Sequence, residues 1–284
     1  MFMILHLAEP KNTCVTSKVS MGKKNYKNTQ PLLWAMVIVS IISFCVDAKA
    51  DETIVAVAAN FTVPAREIAK EFSSETGHKA ILSFGSTGKL YAQIVHGAPF
   101  HVFLSADRER AKLAIDNNLA VAGSRITYAV GKIVLYSSDP GLVDNSAKVL
   151  LSDRYARLAI ANPKIAPYGR AAIEVIENLG LLNHVQNRIV QGDSISQVHQ
   201  FVASGNAELG FVAHSQVNKN SQGSMWIVPQ KMYSPIEQDA VLLKTGQNNK
   251  AAVAFMDFMA SSKFRDIIAS HGYDAGLPHQ KGGG

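Results

Sequence analysis

Beyond Cys45 the chain has no cysteine at all; its two cysteines, Cys14 and Cys45, both lie in the first fifty residues. A mature protein starting after them has no disulfide, no thiol nucleophile and no cysteine metal ligand. That suits an oxidising compartment such as the periplasm, where a stray thiol is a liability. Net charge is scarce as well. Of 28 Lys and Arg and 22 Asp and Glu, residues 1–50 hold six lysines and two acids, which leaves 22 basic against 20 acidic residues, a net charge of +2. No basic stripe remains, which argues against a nucleic-acid partner. The eight histidines after residue 50 are scattered without ligand spacing, so no metal-cation site and no cofactor are expected. The chain also lacks a Gly-x-Ser-x-Gly turn; Ser86 in Gly85-Ser86-Thr87-Gly88 resembles one only superficially, with no evident His and acid partners.

The first fifty residues read as a secretion signal rather than as part of the fold. Lys23, Lys24 and Lys27 precede an apolar run from Leu32 to Val46, and Ala48-Lys49-Ala50 is a small-x-small cleavage signature, placing the cut after Ala50. Met21 is an alternative start. A membrane anchor is the rival reading, but fifteen apolar residues fall short of the ~20 that span a bilayer. A lipid on Cys45 is a second rival, against which bulky Phe44 sits where a lipoprotein signal has a small residue. At the other end, residues 279–284 read as a tail.

From Asp51 onward, strands and helices alternate. Strands are expected at 53–58, 79–84, 102–105, 126–130 and 131–136. Helices are expected at 63–76 (with Thr62 as N-cap and Pro64 in the first turn), at 88–95 and near 108–117. The second half repeats the grammar: strands at 158–161, 189–191 and 209–212 and helices at 169–179 and 196–204. Strands at 225–228 and 236–243 and helices at 250–261 and 263–271 close the chain. Such a pattern predicts an α/β protein of two lobes, each a mostly parallel sheet flanked by helices. Lobe one takes about 51–130 and 236–278, and lobe two about 131–235.

Four turns stand at strand-to-helix junctions: Val57-Ala58-Ala59-Asn60-Phe61, Ser83-Phe84-Gly85-Ser86-Thr87-Gly88, Pro167-Tyr168-Gly169 and Asp193-Ser194-Ile195. Ligands in open α/β sheets sit at the carboxyl ends of strands, and helix starts aim free N–H groups at one point, which is how a small oxyanion is held. Asn60 and Thr87 are the expected side-chain donors, with Ser86 adjacent. Tyr168 and Ile195 would offer their backbone amides, the Tyr168 ring packing as a lid and Gly169 letting a ligand approach the backbone. The bland reading is that Asn60 and Thr62 merely cap a helix and Ile195 is core. Asp193 is either an acceptor for a protonated anion or a cap of the next helix. No Arg or Lys falls inside the turns, so selectivity would rest on size and hydrogen-bond count. A carrier of a small anion is the reading; a secreted hydrolase using Ser86 or the Asp107 region is the remote alternative.

The motifs Ala-Ala-Asn-Phe, Ser86-Thr87-Gly88 with Leu90-Tyr91-Ala92-Gln93-Ile94, Gly97-Ala98-Pro99, Phe103-Leu104-Ser105-Ala106-Asp107, Asn162-Pro163 with Ala166-Pro167-Tyr168-Gly169, and Leu209-Gly210-Phe211-Val212 resemble those of periplasmic molybdate-binding proteins. The resemblance covers nearly all of residues 53–278 in order, and is nearest to the branch with Asn in the first loop. It implies the solute-binding component of an ABC importer for molybdate, and usually tungstate, with two lobes joined by crossover strands and a membrane permease as partner. A monomer is expected. Carried over by position, the anion would meet Asn60, Thr87 or Ser86, and the amides of Tyr168 and Ile195. Many relatives place a tyrosine hydroxyl just after the strand that ends in Val212. Ala213 stands there instead, so one donor is lost or supplied elsewhere, Asn60 being the candidate. The same fold carrying sulfate, thiosulfate or another small anion is the alternative.

Overall fold

The computed structural model describes residues 51–217 and 222–275. The expected signal segment, its cleavage site and the tail lie outside the described residues. The first sheet contains β1 (Glu52–Ala58), β2 (Lys79–Gly85), β3 (Val102–Leu104), β4 (Ile126–Gly131), β10 (Ile236–Leu242) and β11 (Asp274–Ala275), in the spatial order β11-β4-β10-β3-β1-β2. The second contains β5 (Ile133–Ser137), β6 (Leu158–Ala161), β7 (Ile189–Gly192), β8 (Leu209–Ala213) and β9 (Ser224–Ile227), in the order β7-β6-β8-β5-β9. The apolar, β-branched run of β1 is buried on both faces because helices cover both. Val55 and Val57 pack with α1 (Thr62–Thr76), α7 (Lys250–Phe258) and α8 (Ser262–Ser270) through Ile68, Phe72, Phe255 and Phe264. Ala56, pointing the other way, joins Leu90 and Ile94 of α2 (Thr87–Val95) and Ala111 and Ala114 of α3 (Arg108–Asp116). The second sheet has its own core, to which α4 (Pro167–Asn178), the short α5 (Leu182–Val185) and α6 (Ile195–Ala203) contribute.

The two-lobed α/β fold is present, but the sheets are mixed rather than mostly parallel. Only β1 with β2 and β3, and β6 with β7 and β8, run parallel; β4, β5, β9, β10 and β11 pair antiparallel. The antiparallel strands include those by which the chain changes lobe. The apolar stretch 126–136, which reads as nearly continuous, is two strands in two sheets, broken at Lys132. Returning, β10 lies beside β4, with Ile236 opposite Gly131. Glycine is required at 131: a Cβ there would collide with the Tyr168 hydroxyl and come within 2.7 Å of Gln238 Nε2.

Parallel register sets the site. Ala58 pairs Gly85 and Val57 pairs Leu104, so the chain leaves β1, β2 and β3 at one edge; Ala161 opposite Gly192 does the same in the second lobe. Helix bounds shift accordingly. Thr62 is the first residue of α1, not its cap: a single 3-10 turn, Ala59–Phe61, precedes it, and the Thr62 hydroxyl donates to Ala59 O at 2.8 Å. Likewise α2 begins at Thr87, α4 at Pro167 and α6 at Ile195, each one or two residues before the expected start.

Candidate functional site

A small cavity lies between the lobes. Its walls are Ala59, Asn60, Ser86, Thr87 and Ala106 from the first lobe and Ala166, Pro167, Tyr168 and Ile195 from the second. All five residues singled out in the sequence therefore meet at one place, and no Lys, Arg, Asp, Glu or His is among the nine. The helical turn 59–61 leading into α1, and the starts of α2, α4 and α6, all point at this space. First-turn N–H groups have no intrahelical acceptor, and each helix start carries roughly half a positive charge. At α4 and α6, the amides of Tyr168 and Ile195 meet no acceptor among the described residues. Gly88 N–H, by contrast, is taken: it donates across the cleft to Ile165 O at 2.9 Å.

The two hydroxyls at the start of α2 differ. Thr87 Oγ1 accepts from the Ala106 amide at 3.2 Å, which leaves its own hydrogen free to donate. Ser86, 4% exposed, has no hydrogen-bond partner for its Oγ among the described residues. Burying a hydroxyl unpaired costs ~1–3 kcal/mol, a cost that a hydrogen-bonding partner in the cavity would relieve. No base is hydrogen-bonded to that oxygen among the described residues.

Asn60 departs from expectation. Its carboxamide turns away from ligand duty: both Nδ2 hydrogens are engaged, one to Gln238 Oε1 at 2.8 Å and one to Tyr273 Oη at 2.9 Å. Tyr273 donates to Asn60 O at 2.9 Å, and Ser215 Oγ lies 2.9 Å from the same carbonyl. Gln238 Oε1 also accepts from Tyr128 Oη at 3.0 Å, while Gln238 Nε2 approaches Tyr168 Oη at 3.4 Å. Asn60 is thus the hub of a buried network that fixes the first turn. Both Nδ2 hydrogens of the expected donor are therefore committed within the protein. Burial pushes the Tyr273 phenol up to about 12, and drives Tyr128 and Tyr168 well above the usual range, so all three stay neutral donors.

Three further expectations are corrected. The Tyr168 ring is no lid but a core side chain, 1% exposed, reaching the crossover strands. Gly169 makes room for the β6 backbone, since a Cβ there would strike Ala161 O, rather than for a ligand. Asp193 neither caps α6 nor faces the cavity as an acceptor. Ser194 is the cap, accepting from Gln197 N–H, and Asp193 reaches across the cleft to Lys89 Nζ at 2.6 Å. Sequence reasoning missed Ala106 as a wall residue, although its place two residues after Leu104, the end of β3, was the available signal. It also missed Gln238, Tyr273 and Ser215, whose link to Asn60 spans most of the chain.

A family described as bacterial extracellular solute-binding protein matches residues 53–274. The molybdate-binding protein ModA of Rhodobacter capsulatus is 50% identical over 239 residues, covering 84% of this chain and 94% of the relative. The molybdate-binding protein ModA of Azotobacter vinelandii is 52% identical over 229 residues, covering 80% and 91%. The solved periplasmic molybdate-binding protein of Azotobacter vinelandii superposes with a TM-score of 0.77 at 44% identity, covering 80% of this chain and 99% of that one. A sulfate-binding protein of Mycobacterium tuberculosis shares the fold alone, at 13% identity and a TM-score of 0.66. The chain belongs to the bacterial extracellular solute-binding proteins, in the group formed by these molybdate-binding relatives.

Proposed function

We propose that this chain is a periplasmic carrier that takes up molybdate between its two lobes and hands it to the permease of an ABC importer. One observation carries the reading: in a chain half identical to proteins named for molybdate binding, helix starts from both lobes converge on a cavity with no ionised side chain in its wall. A dianion there is held by partial helix charges and neutral donors, namely Ser86 Oγ, Thr87 Oγ1 and the amides of Tyr168 and Ile195. The turn at Asn60 contributes its backbone. Residues 51–130 with 236–278 form one lobe and 131–235 the other, and the anion favours the closed state by touching both. Because every polar group offered can donate, a fully deprotonated dianion uses all of them, whereas an anion that keeps a proton turns a hydroxyl into an acceptor, forfeits one donated bond and is disfavoured.

Tungstate, of the same charge and shape, is bound as well; the protein acts as a monomer, is exported by the segment ending at Ala50, and uses no cofactor. The binding chemistry calls for no covalent step, and Ser86 serves as a donor, not a nucleophile. Sulfate carriers are related at the level of fold only. Calorimetric titration with molybdate, tungstate, sulfate and phosphate tests the reading: the first two bind and the last two bind far more weakly. Equal affinity for sulfate and molybdate would refute it.

A further inference from the structure

Beside the anion cavity, and sharing its wall residues Ala106 and Pro167, a wider cleft of about 200 Å³ opens between the lobes. Asp107, Glu109 and Arg170 stand in its wall. Arg170 lies on α4, three residues after the helix start that carries the Tyr168 amide, and its guanidinium crosses the cleft. Nη2 meets Asp107 Oδ2 at 3.2 Å and Nη1 meets Glu109 Oε2 at 3.1 Å. In the other direction, Arg110 Nη2 of the first lobe donates to Lys164 O of the second at 3.2 Å. The Asp107 side chain is only 10% exposed, so this pair is more than a solvated surface contact.

Asp107 would otherwise be misplaced. A carboxylate one residue from the wall of a dianion site repels the ligand unless it is neutralised. Arg110 does part of this within a single helix, at 2.5 Å and i,i+3, and keeps doing it when the lobes separate. Both contacts of Arg170 exist only when the lobes are together. We infer that Arg170 is a positioning residue for anion retention: its pairing with Asp107 and Glu109 latches the start of α4 against the first lobe and slows release of the bound anion. The inference rests on the proposed carrier reading. The anion enters the open form, in which the latch is undone, so capture is not accelerated, and the lifetime of the closed complex is extended. Screening by salt weakens partly exposed pairs, so release quickens as ionic strength rises.

The test uses radiolabelled molybdate released into a chase of unlabelled anion, with association measured separately, for the wild type, Arg170→Met and Arg170→Lys. The methionine variant keeps the aliphatic stem and loses the charge. It should release molybdate about three- to tenfold faster, with an association rate no slower than that of the wild type, a cooperative unfolding transition without ligand, and a flatter salt dependence of release. Lysine should restore most of the lifetime. An unchanged release rate, or a loss confined to association, would overturn the latch while leaving the carrier reading intact. Failure of the wild type to bind molybdate would instead refute the carrier reading. The latch is then decided by small-angle scattering of the ligand-free protein: the wild type should be more compact than Arg170→Met at low salt, and equal radii would overturn it.

Discussion

Replacing Ser86 by alanine separates a ligand-binding hydroxyl from a structural one, because the two roles predict opposite signs. Ser86 Oγ is buried with no partner among the described residues, so in the ligand-free closed protein it carries the cost of an unmet hydrogen bond, ~1–3 kcal/mol. Alanine removes that cost and one atom of volume, and Ser86 sits at the N-cap position of α2 without a side-chain capping bond to lose. The ligand-free Ser86→Ala protein should therefore be as stable as the wild type or slightly more so. With molybdate bound, the same change removes a hydrogen bond to a charged acceptor, ~1.5–3 kcal/mol, which corresponds to a dissociation constant raised about 10- to 150-fold. Calorimetry gives the affinity and thermal unfolding without ligand gives the stability. Unchanged molybdate affinity would refute the assignment. A large loss of ligand-free stability would show that the hydroxyl serves the fold instead.

Two further outcomes follow from the ground beneath the site. Gly131→Ala forces a methyl against the Tyr168 hydroxyl and Gln238 where the chain passes between lobes; overpacking there should cost ~1–3 kcal/mol in urea unfolding and weaken anion binding with it, and a wild-type unfolding midpoint would contradict the crowding. The Tyr273 phenol titrates higher in the folded protein, at about 12, than in the unfolded chain, near ~10. Its contribution is thus fully present below pH ~10 and is lost as pH rises toward 12. Tyr273→Phe should flatten the alkaline fall of stability by up to ~1.4 kcal/mol per pH unit across that window, and an unchanged slope would count against the burial of the ring.

What could be read in the sequence was what is local. The helix starts at Thr87, Pro167 and Ile195 are set by neighbouring residues, and the parallel pairing of β1 with β2 and of β6 with β7 then gathers them without further information. Long-range partners were not legible. Asn60 has the right residue type for a donor at a turn, yet its amide is claimed by Gln238, 178 positions away, and Tyr273, 213 positions away. Asp193 has the right type for a cap, but Ser194 takes that role and Lys89 of the other lobe takes the carboxylate. The run 126–136 was read as two strands, 126–130 and 131–136, with the change of lobe between them; what the sequence did not give is the antiparallel pairing of the first with β10 and of the second with β8.

The central claim is that a dianion is held by uncharged groups drawn from both lobes. A crystal structure of the molybdate complex, with the molybdenum placed by its anomalous scattering, tests it most directly. The account predicts the anion's oxygens within hydrogen-bond distance of Ser86 Oγ, Thr87 Oγ1 and the backbone amides of Tyr168 and Ile195, with the Asn60 carboxamide still bonded to Gln238 and Tyr273. An arginine or lysine touching the anion, or an anion bound by one lobe alone, would contradict it.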